Sequence, residues 1–286
     1  MNAPSSAAGI GLLSAASWGG SDFLGGLGAR RAPTLLIVAS GHAVTLLVLL
    51  SICVGCHLAL PGRYRMLMAA AGGFEGALAL ALFYRALAMG AMGLTAALTG
   101  LLTALVPVLF SLIHDGLPTP VACAGLALGL AAICLITHSP AAKDGQEKEA
   151  ATPVAALWMG ALAGTGFGTQ LILFKFASGG SLLWVMTSAR AAGVAAMLLV
   201  ILFMPPARPW RGFWLFGILT GSLDTFGNLL YMQATRLGRL DTAAVVSSLY
   251  PAGTILLAAL VLREWPSRRQ FAGIAVALAA VALLSA

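Results

Sequence analysis

Apolar runs of about 20 residues follow one another along the chain, separated by short groups of Arg, Lys, Pro and acidic residues. A helix needs about 20 mostly apolar residues to cross a bilayer. The interruptions mark out ten such segments, at about Ala8–Gly28, Thr34–Leu58, Arg65–Ala88, Gly93–Ile113, Pro118–Thr137, Pro153–Phe176, Leu182–Met204, Arg211–Arg236, Asp241–Leu262 and Arg268–Ser285. The pattern predicts an all-α integral membrane protein with ten transmembrane helices. The runs lack the alternation of barrel strands, which excludes a β-barrel. No Lys or Arg precedes the first run, so no cleaved signal peptide is expected and that segment stays as a helix. The most polar stretch, Ser139 to Thr152, holds Lys143, Asp144, Glu147, Lys148 and Glu149. It reads as a solvated linker at the midpoint.

A linker there suggests two related halves, and a repeat is present. Tyr84, Thr95, Ala96 and Ala97 recur 147 residues later as Tyr231, Thr242, Ala243 and Ala244. Pro118, Ala124 and Gly125 recur 148 later as Pro266, Ala272 and Gly273. Ser40 maps to Ser188 and His42 to Arg190, also at 148. Residues 8–138 and 153–286 then each hold five helices, joined by 139–152. After five crossings the chain emerges on the far side, so the second half inserts upside down. Inverted repeats are a transporter architecture, with the substrate site between the repeats near the midplane.

Composition agrees. The 286 residues are 60% apolar and 9% charged, and the mean hydropathy is +0.96. A soluble domain carries about 25% charged residues. The net charge of +7 is spread singly or in pairs, with no basic stripe. Those residues read as loop charges facing lipid headgroups, and nucleic-acid binding is excluded.

The second half carries a signature. Thr242-Ala-Ala-Val-Val-Ser-Ser-Leu-Tyr-Pro251 is followed by an apolar run to Arg263-Glu264, then Gln270-Phe-Ala-Gly273 and a final apolar helix. This resembles the EamA-type repeat of the drug/metabolite transporter superfamily. Trp18-Gly-Gly-Ser-Asp22-Phe is similar to a first helix of that family. The first half departs from the pattern. Thr103 stands where the repeat has Pro251, with Pro107 one turn later, and the Glu position falls near Asp115-Gly116. The resemblance implies ten helices in two five-helix repeats and export of amino acids, other small metabolites or drugs. It also implies a cavity lined by the first, third, fourth, sixth, eighth and ninth helices. Orientation stays open. Counting Lys and Arg places ten on one side and five on the side of the termini, which puts the termini outside; the resemblance puts them inside.

An ionised side chain at a helix centre costs about 2.5–3.5 kcal/mol on insertion scales, so each one is a site candidate. Glu75 lies mid-way along the third segment and Asp224 along the eighth, its repeat partner. Their offset of 149 places them at similar depth but not on equivalent faces. Asp22 lies in the last third of the first segment. Asp224, Asn228 and Tyr231 follow i, i+4, i+7 spacing and form one polar stripe. Trp18 and Asp22 are i, i+4, and a carboxylate beside an aromatic can bind an ammonium by charge and cation–π attraction. Tyr84, Tyr231 and Tyr250 complete the candidate substrate-binding set with Trp18, Asp22, Glu75, Asp224 and Asn228. Glu75 and Asp224 are the candidates for proton coupling. His42 and Arg190 are candidates for a structural ion pair locking helices together. Gln170 matches Ser21 at offset 149, near the depth of Trp18 and Asp22. Lys175 is close enough to a helix end to snorkel. The four-residue glycine spacings Gly160-Gly164-Gly168, Gly72-Gly76 and Gly217-Gly221 are expected to let helices approach closely.

Two motifs mislead. Cys53-Val-Gly-Cys56-His57 fits covalent haem attachment, but no soluble domain exists to enclose a haem. Gly-Thr-Gly-Phe-Gly at 164–168 mimics a dinucleotide loop without the strand that must precede it. No cofactor, metal cluster or phosphate loop is expected, so transport must draw on an ion or substrate gradient. The expected protein is a secondary transporter, an exporter of small polar or amphiphilic metabolites, amino-acid-like or cationic. Proton coupling is one way to drive it. A flippase for lipid-linked substrates, or an intramembrane enzyme using Glu75 and Asp224, is the alternative. A nucleophile or metal set is missing, so an enzyme is not expected. Small-molecule substrate and membrane lipid are the expected partners, a homodimer is an option, and a bacterial inner membrane is the expected location.

Overall fold

The structure, a computed structural model, describes residues 3–29, 31–89, 92–137, 154–206, 212–257, 260–261 and 267–284. The linker at 139–152 and the signature positions Arg263, Glu264 and Pro266 lie outside the described residues. The helices are α1 (Ala3–Ala29), α2 (Thr34–Gly55), α3 (Arg63–Met89), α4 (Met92–His114), α5 (Pro120–Thr137), α6 (Val154–Ala177), α7 (Leu182–Phe203), α8 (Phe213–Leu237), α9 (Leu240–Ser247), α10 (Tyr250–Leu257) and α11 (Arg268–Leu284). No strand is present among the described residues. Among the described residues, four stretches, Thr34–Gly55, Arg63–Ala86, Val154–Ala177 and Leu182–Phe203, are long and apolar enough to cross a membrane. Shorter apolar stretches occur at Leu98–His114, Pro120–Leu135 and Phe271–Leu284.

The ten segments fit in order, and the ninth is divided into α9 and α10. Pro251 explains the division. It has no N–H to give the Ser247 carbonyl, and its ring crowds that carbonyl. The chain tightens into a turn at Ser248 and Leu249, where the Leu249 N–H bonds the Val246 carbonyl at 3.3 Å. Pro107 lies inside α4, which continues past it. The dinucleotide-like glycines at 164–168 are helical, within α6. Cys53 is buried with its Sγ 3.7 Å from Thr187 Oγ1, while Cys56 is exposed.

The helix contacts come in pairs. α1 packs on α8, and α3 on α6; α2 packs on α8, and α3 on α7; α4 packs on α6, and α1 on α9 and α10. Swapping each helix for the one the sequence offsets pair it with turns one contact of each pair into the other. α2 meets α7 and α5 meets α11, each a helix against its own partner. The pairing reaches single residues. At one crossing a Cβ on Gly221 would come 2.5 Å from Gly41 Cα, and at the other a Cβ on Gly73 would overlap the Ala189 carbonyl. Thr99 Oγ1 donates to the Gly160 carbonyl at 2.9 Å, and Ser247 Oγ to the Gly11 carbonyl at 3.4 Å. Without strong hydrophobic drive between helices in lipid, such close approach supplies the packing.

Gly73→Leu should therefore lower stability by about 1–3 kcal/mol or more through overpacking against backbone. Thermal unfolding in detergent checks this; an unchanged melting temperature would show that α3 and α7 do not cross so closely.

Candidate functional site

Three serines set the register of α1 on α8. Ser14, Ser17 and Ser21 donate to the carbonyls of Gly227, Leu223 and Thr220 at 2.8, 2.7 and 3.0 Å. This stripe, spaced three and four residues apart, was missed in the sequence, though its periodicity marks one helix face. It turns Trp18 and Asp22 toward the same space as Asp224 and Asn228. Gly227 leaves room for the indole, since a Cβ there would come 2.6 Å from Trp18 Cδ1.

The space is a cavity of about 50 Å³ lined by Trp18, Asp22, Leu80, Thr103, Phe167, Gln170, Leu171, Asp224, Asn228 and Tyr250. Trp18, Thr103, Phe167, Asp224 and Asn228 lie in the middle third of their helices, and Tyr250 begins α10. The Trp18 ring centroid is 6.4 Å from that of Tyr250, nearly edge-on, and 5.9 Å from that of Tyr231. Tyr231 is fully buried beneath Trp18, and its hydroxyl donates to the Leu171 carbonyl at 2.9 Å. Five of the eight candidate substrate residues, Trp18, Asp22, Asp224, Asn228 and Tyr250, thus line one cavity, and Tyr231 supports it. Tyr84 is buried beside a separate void of about 10 Å³ shared with Ser21, His42, Thr220 and Asp224. Glu75 does not join them. It is partly exposed on α3 and lies against α6, where a Cβ on Gly166 would come 3.7 Å from its Cγ. Leu80, Thr103, Phe167 and Leu171 are lining residues that no charge or motif marks.

Arg190 and His42 meet where α7 crosses α2. Arg190 Nη2 donates to Asp224 Oδ2 at 2.7 Å, with side-chain exposures of 4% and 22%. Arg190 Nη1 is 3.1 Å from His42 Nε2, and His42 Nδ1 is 3.0 Å from the Val38 carbonyl. A carbonyl and a guanidinium on opposite ring nitrogens assign the neutral tautomer, with Nδ1–H donating to Val38 and Nε2 accepting from Arg190. The ion-pair candidates are therefore joined to a cavity acid. Asn228 Nδ2 donates to the Asp224 backbone carbonyl at 2.8 Å. No described residue pairs with Asp22: the ion pairs are His114–Asp115, Arg190–Asp224 and Arg239–Asp241.

Where α4, α6 and α8 end, the bundle is tied by polar contacts. Arg239 holds the fully buried Asp241 at 2.9 Å and reaches the Gly116 carbonyl at 2.9 Å. Arg236 donates to the Ser178 and Gly180 carbonyls, and Lys175 Nζ to the Thr235 carbonyl at 2.6 Å. Lys175 thus spends its charge on a backbone carbonyl near its helix end. Gly116 and Gly180 have φ of 77° and 88°, a left-handed geometry glycine adopts without cost. It turns each carbonyl to an arginine. The hydrogen bond from His114 holds the Asp115 carboxyl below its ordinary range, and the bond to Asp241 holds the Arg239 guanidinium above its own. Trp184 Nε1 donates to the Leu58 carbonyl at 2.8 Å, tying the two halves at the same end.

These features define a helical membrane protein with a polar cavity deep in the bundle, between its two halves. Residues 154–286 match the EamA-like transporter family. The match is consistent with membership of the drug/metabolite transporter superfamily. No curated protein matches the chain. A solved crystal structure of a protein is similar across the whole length, with TM-score 0.73 and 22% identity over 98% of this chain and 96% of that one. That likeness concerns the fold.

Proposed function

We propose that the protein is a secondary transporter that moves small polar or amphiphilic metabolites by alternating access between two inverted five-helix halves, residues 8–138 and 153–286. The observation that carries the reading is the cavity. It combines Trp18 and Asp22 from the first half with Asp224 and Asn228 from the second. The paired helix contacts support a two-fold relation of the halves. The polar ties at one end close that end, as one state of an alternating cycle requires. Export, proton exchange through Glu75 and Asp224, and residence in a bacterial inner membrane belong to the same proposal. An enzyme or flippase reading gains nothing from the geometry, since Glu75 stands apart from Asp224.

Transport into or out of proteoliposomes against a metabolite panel, with and without a pH gradient, tests the function. A panel wholly excluded in both directions would overturn it. The inverted halves make a separate prediction: cysteines placed in the loop at 30–33 and the loop at 178–181 should label from opposite sides of the membrane. Labelling of both from one side would end the inverted arrangement.

A further inference from the structure

The two halves of the cavity mirror each other in position but not in charge. At the offset of 149 that relates α1 to α6, Trp18 matches Phe167 and Asp22 matches Leu171, and all four line the cavity. At the offset of 148 that pairs Gly73 of α3 with Gly221 of α8, Leu80 matches Asn228 and Gly76 matches Asp224. Both acids therefore have uncharged counterparts. The space left by Gly76 is filled by the Gln170 side chain, which a Cβ there would overlap. Asp224 is neutralised by Arg190 at 2.7 Å, so one carboxylate, Asp22, is left without a cation. Two neutral amides, Gln170 and Asn228, line the same cavity.

We propose that the cavity selects a monocationic amine over the matching zwitterion, with Asp22 as ammonium ligand and Gln170 as the neutral pole. An ammonium at Asp22 gains charge pairing and the faces of Trp18 and Tyr250. The carboxylate of an amino acid would need a cation of its own. Arg190 is committed to Asp224 and His42 and does not line the cavity. Lys175 is committed to the Thr235 carbonyl. No described residue of the lining carries a positive charge. A zwitterion's carboxylate would thus be stripped of water against Gln170, Phe167 and Leu80, an unfavourable exchange. Selectivity comes from this missing partner more than from any added attraction.

The inference rests on the cavity being the substrate site of a transporter. Isobutylamine and valine share one carbon skeleton and differ by the carboxylate, so they isolate the feature. Binding to the full-length protein in nanodiscs is measured by calorimetry. The amine should bind at least tenfold tighter than valine. Asp22→Asn should weaken amine binding at least tenfold, and Asp22→Glu should stay within a few-fold of the original. Gln170→Arg should raise valine affinity relative to the amine and invert the order. Monodisperse elution and unchanged helical content keep a misfolded variant from being read as a loss. Equal binding of both probes, an amine affinity indifferent to Asp22→Asn, or binding of neither overturns the charge selection. Panel transport that persists in those cases leaves the transporter reading standing; its absence removes both.

Discussion

Arg190→Met is expected to destabilise the protein by about 3–5 kcal/mol, the scale for removing one partner of a buried ion pair. The guanidinium is almost wholly buried, and it answers two acceptors at once, Asp224 Oδ2 at 2.7 Å and His42 Nε2 at 3.1 Å. Its loss leaves Asp224 and Asp22 facing one small cavity with no cation between them. Asp224→Asn should cost a similar amount, because Arg190 is then a buried charge with only a neutral imidazole. The double variant Arg190→Met/Asp224→Asn should recover most of the loss, since neither charge remains to be desolvated. Melting temperatures in detergent for the three variants give the cycle. Additive losses would mean that the pair is not coupled and that each side chain acts through packing alone. A network of this kind also ties three helices together, α2 through His42, α7 through Arg190 and α8 through Asp224. It is a cross-brace at the level of the cavity, so any motion that opens the site must either carry these helices together or break it.

Much of the helix layout was legible because lipid imposes one rule, internal satisfaction of the backbone. Runs of the right length then mark helices directly, and α7 begins at the residue expected, Leu182. The break between α9 and α10 was written in Pro251, but a proline alone does not say whether a helix kinks or parts. Pro107 shows the opposite outcome: α4 continues through it. The difference appears only with the geometry around each ring. Within the site, the charged members were legible because isolated charges in apolar helices are costly and so stand out. Asp22 and Asp224 were found that way, and Trp18 and Asn228 by their four-residue spacing from them. Leu80, Phe167 and Leu171 were not, because an apolar residue in an apolar helix looks the same whether it faces lipid, protein or a cavity. Glu75 illustrates the limit from the other side. Its offset from Asp224, 149, exceeds the 148 that pairs Gly73 with Gly221 by one residue, which is about 100° around a helix. Depth was readable from the sequence, and the angle decided which acid entered the cavity.

That angle separates binding from coupling in the transport experiment. Asp22→Asn and Asp224→Asn remove charge from the cavity wall, and losing a charge-assisted contact costs about 1.5–3 kcal/mol. Substrate affinity should fall by about tenfold to a hundredfold in each. Glu75 does not line the cavity, so in Glu75→Gln substrate affinity and substrate–substrate exchange should stay within about twofold, well under the 1.4 kcal/mol that a tenfold change represents. Glu75 nonetheless faces α6 across the contact at Gly166, on a surface where the two halves meet. A carboxyl on a moving interface can meet water on one side in one state and on the other side in the next, which is what a proton carrier must do. Glu75→Gln is therefore expected to abolish the acceleration by a pH gradient while exchange continues. Counterflow and gradient-driven uptake in the same proteoliposomes measure the two separately. Gradient-driven uptake at the original rate in Glu75→Gln would move coupling to the cavity, where Asp22 stands without a cation and proton and substrate would then compete for one carboxylate.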